Sequence, residues 1–100
     1  MRMALLLWAL LATGNPYEGK PDAVRAGAKL YARHCAQCHG LDAEGHGHAP
    51  SLRSSTVQAA SAEELFHTVT NGRMSRGMPS WAQLPAERRW QIITYLRSLK

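Results

Sequence analysis

The segment Cys35-Ala36-Gln37-Cys38-His39 contains two thiols three residues apart, with an imidazole directly after the second thiol. In a helix, Cys35, Cys38 and His39 share one face, because positions i, i+3 and i+4 are neighbours on a helical surface. Two thiols at this spacing can add to the two vinyl groups of one porphyrin, and the adjacent imidazole can bind its iron. The C-x-x-C-H pattern therefore predicts one covalently attached haem, with His39 as an iron ligand.

Other chemistry is open to the same two cysteines, which are the only ones in the chain. They could form a redox-active dithiol, or they could bind zinc together with His46 or His48 of the following segment. Both alternatives leave His39 and a later Met-Pro pair without a function. The haem interpretation is therefore favoured, and His46 and His48 are interpreted as solvated loop residues.

A second iron ligand is expected from the loop before the last predicted helix, which contains Met74 and Met78. Pro79 biases Met78 toward an extended backbone, and Gly77 permits close approach of the chain to a flat group. The residues favour Met78 and leave Met74 as the alternative. A thioether opposite an imidazole raises the reduction potential and fills the sixth iron position, which suits an electron carrier better than a catalyst.

Four further residues are candidates for contacts with the haem or with its ligands. A metal-binding imidazole usually donates its second N–H, and the backbone carbonyl of Pro50 is the candidate acceptor for His39. Trp81 is a candidate either to cover the haem edge or to anchor its loop. Arg73 and Arg76 are candidate partners of the haem propionates, although exposed loop arginines are more common.

The N-terminal residues have the organisation of a secretory signal peptide. Arg2 precedes an apolar run, and the small residues Ala12 and Gly14 follow it. The run is shorter than the roughly 20 residues that span a bilayer, so an uncleaved anchor is the less favoured alternative. We predict a signal peptide at 1–14, a flexible lead at 15–22 and one domain at 23–100.

Apolar periodicity predicts an all-α domain with three main helices, at residues 23–36, 62–71 and 86–99. Their start signals are Asp22 as an N-cap, a capping box of Ser61 with Glu64, and Pro85 at the start of the last helix. Long loops at 40–55 and 73–84 would be unusual in so short a domain. Loops that cover the two sides of a haem account for them.

Over residues 24–99 the chain resembles the class I c-type cytochromes, which are small monohaem electron carriers. The resemblance rests on the pentapeptide Cys35 to His39, on Pro50-Ser51-Leu52, on Gly77-Met78-Pro79-Ser80-Trp81, and on Gly27, Tyr31, Trp90 and Tyr95. It implies a cytochrome c fold in which the N- and C-terminal helices cross and long loops wrap one covalent haem. It also implies that Gly27 lies at the crossing, that the Pro50 carbonyl accepts from His39, and that Met78 is the distal ligand.

The net charge of the chain and its predicted export limit the range of functions that fit the sequence. The chain has 12 Lys and Arg against 7 Asp and Glu, a formal net charge of +5. This charge suits acidic protein partners, whereas nucleic acid is disfavoured because aromatic residues are not interleaved with the charges. We predict a monomeric, periplasmic or otherwise extracytoplasmic, non-enzymatic one-electron carrier. It binds haem c with iron and docks on redox proteins with acidic surfaces.

Two other functions fit the same motifs. The chain could be the electron-accepting subunit of a periplasmic dehydrogenase complex, or a sensor that binds ligands at its haem. Membrane contact would be peripheral or through an uncleaved N-terminus.

Overall fold

The protein is described by a computed structural model that covers residues 14–99. Its helices are α1 (Pro21–His34), α2 (Ala36–His39), α3 (Ser55–Ala59), α4 (Ala62–Asn71) and α5 (Ala86–Ser98), with a 3-10 turn at Met74–Arg76. Between residues 14 and 99, extended pairing is limited to two isolated bridges. The predicted all-α class is confirmed. The predicted signal peptide lies outside the described residues except for Gly14, and it stays a prediction.

Helices α1 and α5 cross in contact at Gly27. A Cβ atom added to Gly27 would lie 2.0 Å from the backbone oxygen of Gln91 and 2.8 Å from Cβ of Tyr95. The rings of Tyr31 and Tyr95 meet next to this point, with their centroids 5.3 Å apart. Glycine costs about 1 kcal/mol relative to alanine inside a helix, but here only a hydrogen atom fits. The close crossing that Gly27 predicts is confirmed.

The core lies between α1, α4 and α5, and α5 contributes its centre. Ile92 and Ile93 are fully buried, and so is the Tyr31 ring from α1. Phe66 of α4 stacks on Trp90 of α5 with 3.9 Å between ring centroids. The buried apolar residues that form this core cluster are Leu30, Tyr31, Ala36, Ala43, Ala62, Val69, Ile92, Ile93, Leu96 and Leu99.

Helix α1 begins earlier than its sequence predicts. Lys20 is the N-cap residue and Pro21 the first helical residue, so the prediction of Asp22 as the N-cap is wrong. Proline suits the first turn because its φ is already helical and its missing N–H is not needed there. Asp22 lies in the first turn, where its carboxylate accepts a hydrogen bond from Arg25.

The segment before α1 contacts α5. The Asn15 side-chain amide donates to the Thr94 hydroxyl at 2.8 Å, and the Glu18 carboxylate lies 3.7 Å from Nε of Arg97. The predicted mobility of residues 15–22 stays a prediction, but Pro21 and Asp22 belong to α1 rather than to this lead.

Helix α3 is a short element that the sequence periodicity does not predict. The Ser54 hydroxyl caps it by accepting from the Val57 N–H. The Gln58 amide then donates to the carbonyls of Leu52, at 2.8 Å, and Leu96, at 3.1 Å. This side chain therefore ties the loop before α3 to helix α5.

Candidate functional site

The C-x-x-C-H segment stays helical across a short break. Helix α1 ends at His34 and α2 follows at Ala36, yet the Cys35 N–H still donates to the Tyr31 carbonyl at 2.8 Å. The His39 N–H donates to the Cys35 carbonyl at 3.0 Å. Ala36 points into the core, whereas Cys35 is half-buried and Cys38 is exposed. The backbone therefore has the helical spacing that the haem interpretation needs.

The Cys35 thiol is not an activated nucleophile in the polypeptide alone. Burial, and secondarily the neighbouring Cys38, raise the pKa of Cys35 to about 11. Redox-active dithiols need a thiol whose pKa is lowered, because the thiolate is the reactive form. This environment therefore disfavours the dithiol alternative.

The imidazole of His39 is held by the backbone of the following loop. Its Nδ1 lies 2.9 Å from the carbonyl oxygen of Pro50. A carbonyl can only accept, so Nδ1 carries the proton and Nε2 keeps its lone pair. The structure thus contains the contact predicted between His39 and Pro50, and it leaves Nε2 able to bind a metal.

Residues 40–54, here called the proximal loop, fold back tightly on α2 to bring Pro50 into place. The Gly45 N–H donates to the His39 carbonyl at 2.8 Å, and the Leu52 N–H donates to the Ala43 carbonyl at 2.8 Å. Gly45 has φ +89°, and an added Cβ would lie 2.7 Å from the Ser51 nitrogen. Glycine is required there both by the backbone conformation and by the close packing.

Residues 72–85, here called the distal loop, contain both candidate methionines. Arg73 and Met78 exchange two backbone hydrogen bonds of 2.9 and 3.0 Å, and Gly77 closes the turn at φ +85°. Met78 is half-buried and packs against the core, whereas Met74 is 73% exposed. The tight turn therefore directs the two methionines into different environments.

Gly72 brings the distal loop against the end of α4. An added Cβ would lie 2.6 Å from the carbonyl carbon of Pro79 and 2.7 Å from the Met78 oxygen. The sequence signals only the end of a helix at Asn71-Gly72. The close packing of the Met-Pro pair on this glycine is a contact that sequence reasoning missed.

Trp81 joins the distal loop to helix α1. Its backbone N–H donates to the Val69 carbonyl at 3.0 Å, and its ring lies 4.7 Å from the His34 ring. His34 immediately precedes Cys35, so this contact links the two segments that contain the candidate haem residues. The anchoring role that the sequence left open for Trp81 is therefore present.

The donor set and its surroundings fit haem c. Two thiols suit the two vinyl groups, and an imidazole nitrogen with a thioether sulfur suits low-spin iron. Apolar side chains that pack against the core without being fully covered offer a surface for the porphyrin; they include Leu52, Leu65, Phe66, Met78 and Trp81.

The zinc alternative is not assembled in the structure. Within residues 14–99, no three His, Cys, Asp or Glu side chains lie close enough together to hold a metal ion. His46 and His48 are both exposed on the proximal loop.

Comparison with known proteins gives the family. Residues 22–96 match the family described as cytochrome c oxidase, cbb3-type, subunit III. The chain belongs to this family of c-type cytochromes. The predicted cytochrome c fold and the predicted haem c cofactor are thereby confirmed.

Individual relatives include a small cytochrome and part of a much larger enzyme. The chain is 39% identical over 89 residues to cytochrome c550 of Pseudomonas aeruginosa, covering 85% of this chain and 61% of that protein. It is also 39% identical over 91 residues to the quinohemoprotein alcohol dehydrogenase ADH-IIG of Pseudomonas putida, covering 82% of this chain but 12% of the dehydrogenase. The chain thus spans less than two thirds of the length of either relative.

Solved structures of c-type cytochromes have the same fold. Cytochrome CL from Methylophaga aminisulfidivorans aligns with a TM-score of 0.74 and 30% identity, covering 89% of this chain and 61% of that one. The KustC0563 c-type cytochrome aligns with a TM-score of 0.65 and 28% identity, covering 74% of this chain and 96% of that one. In the part of this cytochrome that the structure describes, none of the helices is both long and apolar enough to cross a bilayer.

Replacing Tyr31 by phenylalanine should destabilise the cytochrome by about 1 kcal/mol at neutral pH, because it removes one of the two hydrogen bonds that the Gly40 carbonyl accepts, the other coming from the Ala43 N–H at 3.1 Å. The Tyr31 hydroxyl donates to the Gly40 carbonyl at 2.5 Å, and the side chain is 1% exposed. Denaturant unfolding of the haem-loaded protein measures the difference.

Alkaline pH should reduce this difference. Burial, and secondarily the neighbouring Cys35, raise the pKa of Tyr31 to about 12 from its usual value of 10. The hydroxyl therefore contributes fully below pH 10, and its contribution falls as the pH rises through 12. An equal free-energy difference between wild type and Tyr31→Phe at pH 7 and pH 12 would contradict this assignment.

Proposed function

We propose that this cytochrome is a one-electron carrier whose haem is attached through Cys35 and Cys38 and ligated by His39 and Met78. The observation that carries the proposal is the 2.9 Å contact between Nδ1 of His39 and the Pro50 carbonyl. This contact fixes the tautomer and orientation of an imidazole that directly follows the two attachment cysteines. When bound, the haem iron supplies the ferric–ferrous couple.

The protein residues around the iron are those of a carrier rather than a catalyst. With haem bound, the half-buried Met78 thioether would occupy the sixth iron position and would disfavour binding of outside ligands. The backbone bonds of the distal loop hold Met78 in place, so little rearrangement accompanies a change of oxidation state. We therefore propose that the chain has no catalytic activity of its own and that it works as a monomer.

Absorption spectroscopy of the ferric protein, expressed with haem-attachment machinery, tests this assignment. A low-spin spectrum with the weak near-infrared sulfur-to-iron band is expected. A high-spin spectrum would indicate an open sixth iron position and would favour a ligand-binding sensor over an electron carrier. Rapid binding of carbon monoxide by the reduced protein would support that sensor function. A folded product that lacks haem absorption would contradict the proposal outright.

We propose that the carrier works in the periplasm or another extracytoplasmic compartment, between redox proteins with acidic docking surfaces. Residues 1–14 have the composition of a signal peptide, and the formal net charge of +5, which becomes +4 when Arg2 is removed with that peptide, complements acidic partners. The distal loop adds local positive charge, since residues 72–85 include Arg73 and Arg76 but no acidic residue.

Electron exchange with an acidic redox protein should slow by about tenfold or more as the ionic strength rises from about 10 mM to 0.5 M, because salt screens the attraction that steers encounter. Stopped-flow absorbance of the haem measures the bimolecular rate. Exchange with an uncharged small-molecule oxidant serves as the control and should change little. A rate with the acidic partner that is independent of salt would show that the positive charge is not used in docking.

A second candidate function is that of an electron-accepting subunit or domain within a periplasmic dehydrogenase. It is supported by the 39% identity to part of the alcohol dehydrogenase ADH-IIG. Affinity purification from the native membrane and soluble fractions separates the two functions. Stoichiometric recovery of a large catalytic chain would favour the subunit, and recovery of the free cytochrome would favour the carrier.

A further inference from the structure

Arg89, in the first turn of α5, is a half-buried residue whose side chain contacts both ends of the distal loop. Its Nε donates a hydrogen bond to the carbonyl of Leu84, near the end of the loop, at 3.0 Å. Its Nη1 donates to the hydroxyl of Thr70, two residues before the loop begins, at 2.7 Å. One guanidinium therefore joins the segment that enters the distal loop to the segment that leaves it.

The partners of the Arg89 guanidinium are a carbonyl, a hydroxyl and an aromatic ring. Its central carbon lies 5.0 Å from the centroid of the Phe66 ring, and that ring stacks on Trp90. Neither of the two ion pairs formed within residues 14–99 involves Arg89. Because arginine stays charged and presents its donors in a fixed plane, both hydrogen bonds are charge-assisted, and such bonds are roughly twice as strong as neutral ones.

The distal loop is also attached to the end of α4 at Thr70. The Ser80 hydroxyl donates to the Thr70 carbonyl at 2.6 Å. Met78 lies two residues before Ser80 in the same segment. Thr70 therefore bonds to the loop through its carbonyl and to Arg89 through its hydroxyl. Together these bonds oppose an outward movement of the segment that contains Met78.

We propose that Arg89 is a positioning residue for Met78: it keeps the distal loop closed and thereby limits how often the Met78 sulfur leaves the iron and admits an outside ligand. The inference rests on the proposed function, since it takes Met78 as the sixth ligand. Loops open locally at a lower free-energy cost than global unfolding, and that cost depends on the contacts that hold them. Arg89 supplies two of these contacts from one side chain of α5.

The test measures the rate at which imidazole replaces Met78 in the ferric, haem-loaded protein. At saturating imidazole this rate is limited by departure of the sulfur, and loss of the near-infrared sulfur-to-iron band reports it. Arg89→Gln should raise the limiting rate by about tenfold or more, because a shorter, neutral side chain does not make both contacts. Thr70→Val replaces only the hydroxyl by a methyl group of similar shape, and it should raise the rate by about threefold.

Two control variants separate loop closure from charge and from general stability. Arg88→Gln removes the same charge from an exposed neighbour on α5 and should leave the limiting rate unchanged. Ala32→Gly weakens the whole fold through helix propensity outside the distal loop, so it shows how far global destabilisation alone changes the rate. Denaturant unfolding of every variant puts this comparison on a common scale.

The double variant Arg89→Gln/Thr70→Val adds a test of the bond itself. It should exchange Met78 no faster than Arg89→Gln alone, because both substitutions remove the same hydrogen bond. Effects that multiply as if independent would show that Arg89 does not act through Thr70, and would overturn the inference.

Two other results would also overturn it. A limiting rate in Arg89→Gln equal to that in Arg88→Gln would show that Arg89 does not hold the loop. A rise no larger than Ala32→Gly shows for the same loss of global stability would make Arg89 an ordinary structural residue. If Arg89→Gln does not fold with haem, an unchanged rate in Thr70→Val has the same meaning.

Failure of the inference is distinguishable from failure of the proposed function. The results above presuppose a wild type that shows the near-infrared band, so they leave ligation by Met78 intact. Absence of that band from the wild type would instead contradict the proposed function, and the inference with it.

Discussion

Replacement of Met78 by alanine is expected to abolish the low-spin, methionine-ligated spectrum and leave the sixth iron position open. Loss of a thioether ligand disfavours the ferrous state, so the midpoint potential should fall by more than about 59 mV, a change of more than tenfold in the one-electron equilibrium. The reduced variant should also bind carbon monoxide, whereas the reduced wild type is expected to exclude it. Ferric near-infrared absorption and redox titration measure these effects.

Met74→Ala is the matched control, because Met74 is in the same loop and is 73% exposed. Its spectrum and potential should resemble those of the wild type. If Met74→Ala lost the methionine-ligated spectrum and Met78→Ala kept it, the ligand assignment would be reversed. Loss in both variants would indicate that the loop, rather than one side chain, determines ligation.

Gly27→Ala is expected to destabilise the haem-loaded cytochrome by about 2–3 kcal/mol, because overpacking at a close contact commonly costs this much. The new methyl group would be built 2.0 Å from the Gln91 carbonyl oxygen, which is backbone and cannot rotate away. Helices α1 and α5 would have to separate at their crossing. Denaturant unfolding, with unchanged cooperativity as the check on two-state behaviour, measures the loss.

Ala32→Gly on the exposed face of α1 is the control for this prediction. It should cost about 1 kcal/mol through helix propensity alone. By the same propensity scale, Gly27→Ala without a tertiary contact would stabilise the protein by about that amount. A stabilised Gly27→Ala variant would therefore contradict the close crossing of α1 and α5.

The sequence by itself determines the chemistry of the site. The types and spacing of Cys35, Cys38 and His39 predict a haem-binding set, because the i, i+3, i+4 relation is a property of any helix. The capping box of Ser61 and Glu64 is equally local, and both of its hydrogen bonds form. Periodicity also predicts α1, α4 and α5, since each buries an apolar face.

The sequence predicts less about elements whose stability comes from distant partners. Helix α3 has no apolar stripe, and Gln58 stabilises it through the carbonyls of Leu52 and Leu96. The sequence predicts Asp22 as the N-cap of α1, whereas Asp22 lies in the first turn, because an acidic residue suits both positions. Only the backbone conformation of Lys20 and Pro21 shows which of these two positions Asp22 occupies.

The tertiary structure alone decides how the two loops are presented to the haem. Met74 and Met78 are chemically equivalent as thioethers. The hydrogen-bonded turn between Arg73 and Met78 leaves Met74 exposed and Met78 half-buried. The packing of Pro79 on Gly72 and the hydrogen bond between Arg89 and Thr70 join residues that are far apart in the chain. Local propensity contains no information on such contacts, because they form only when the loops close over the same core.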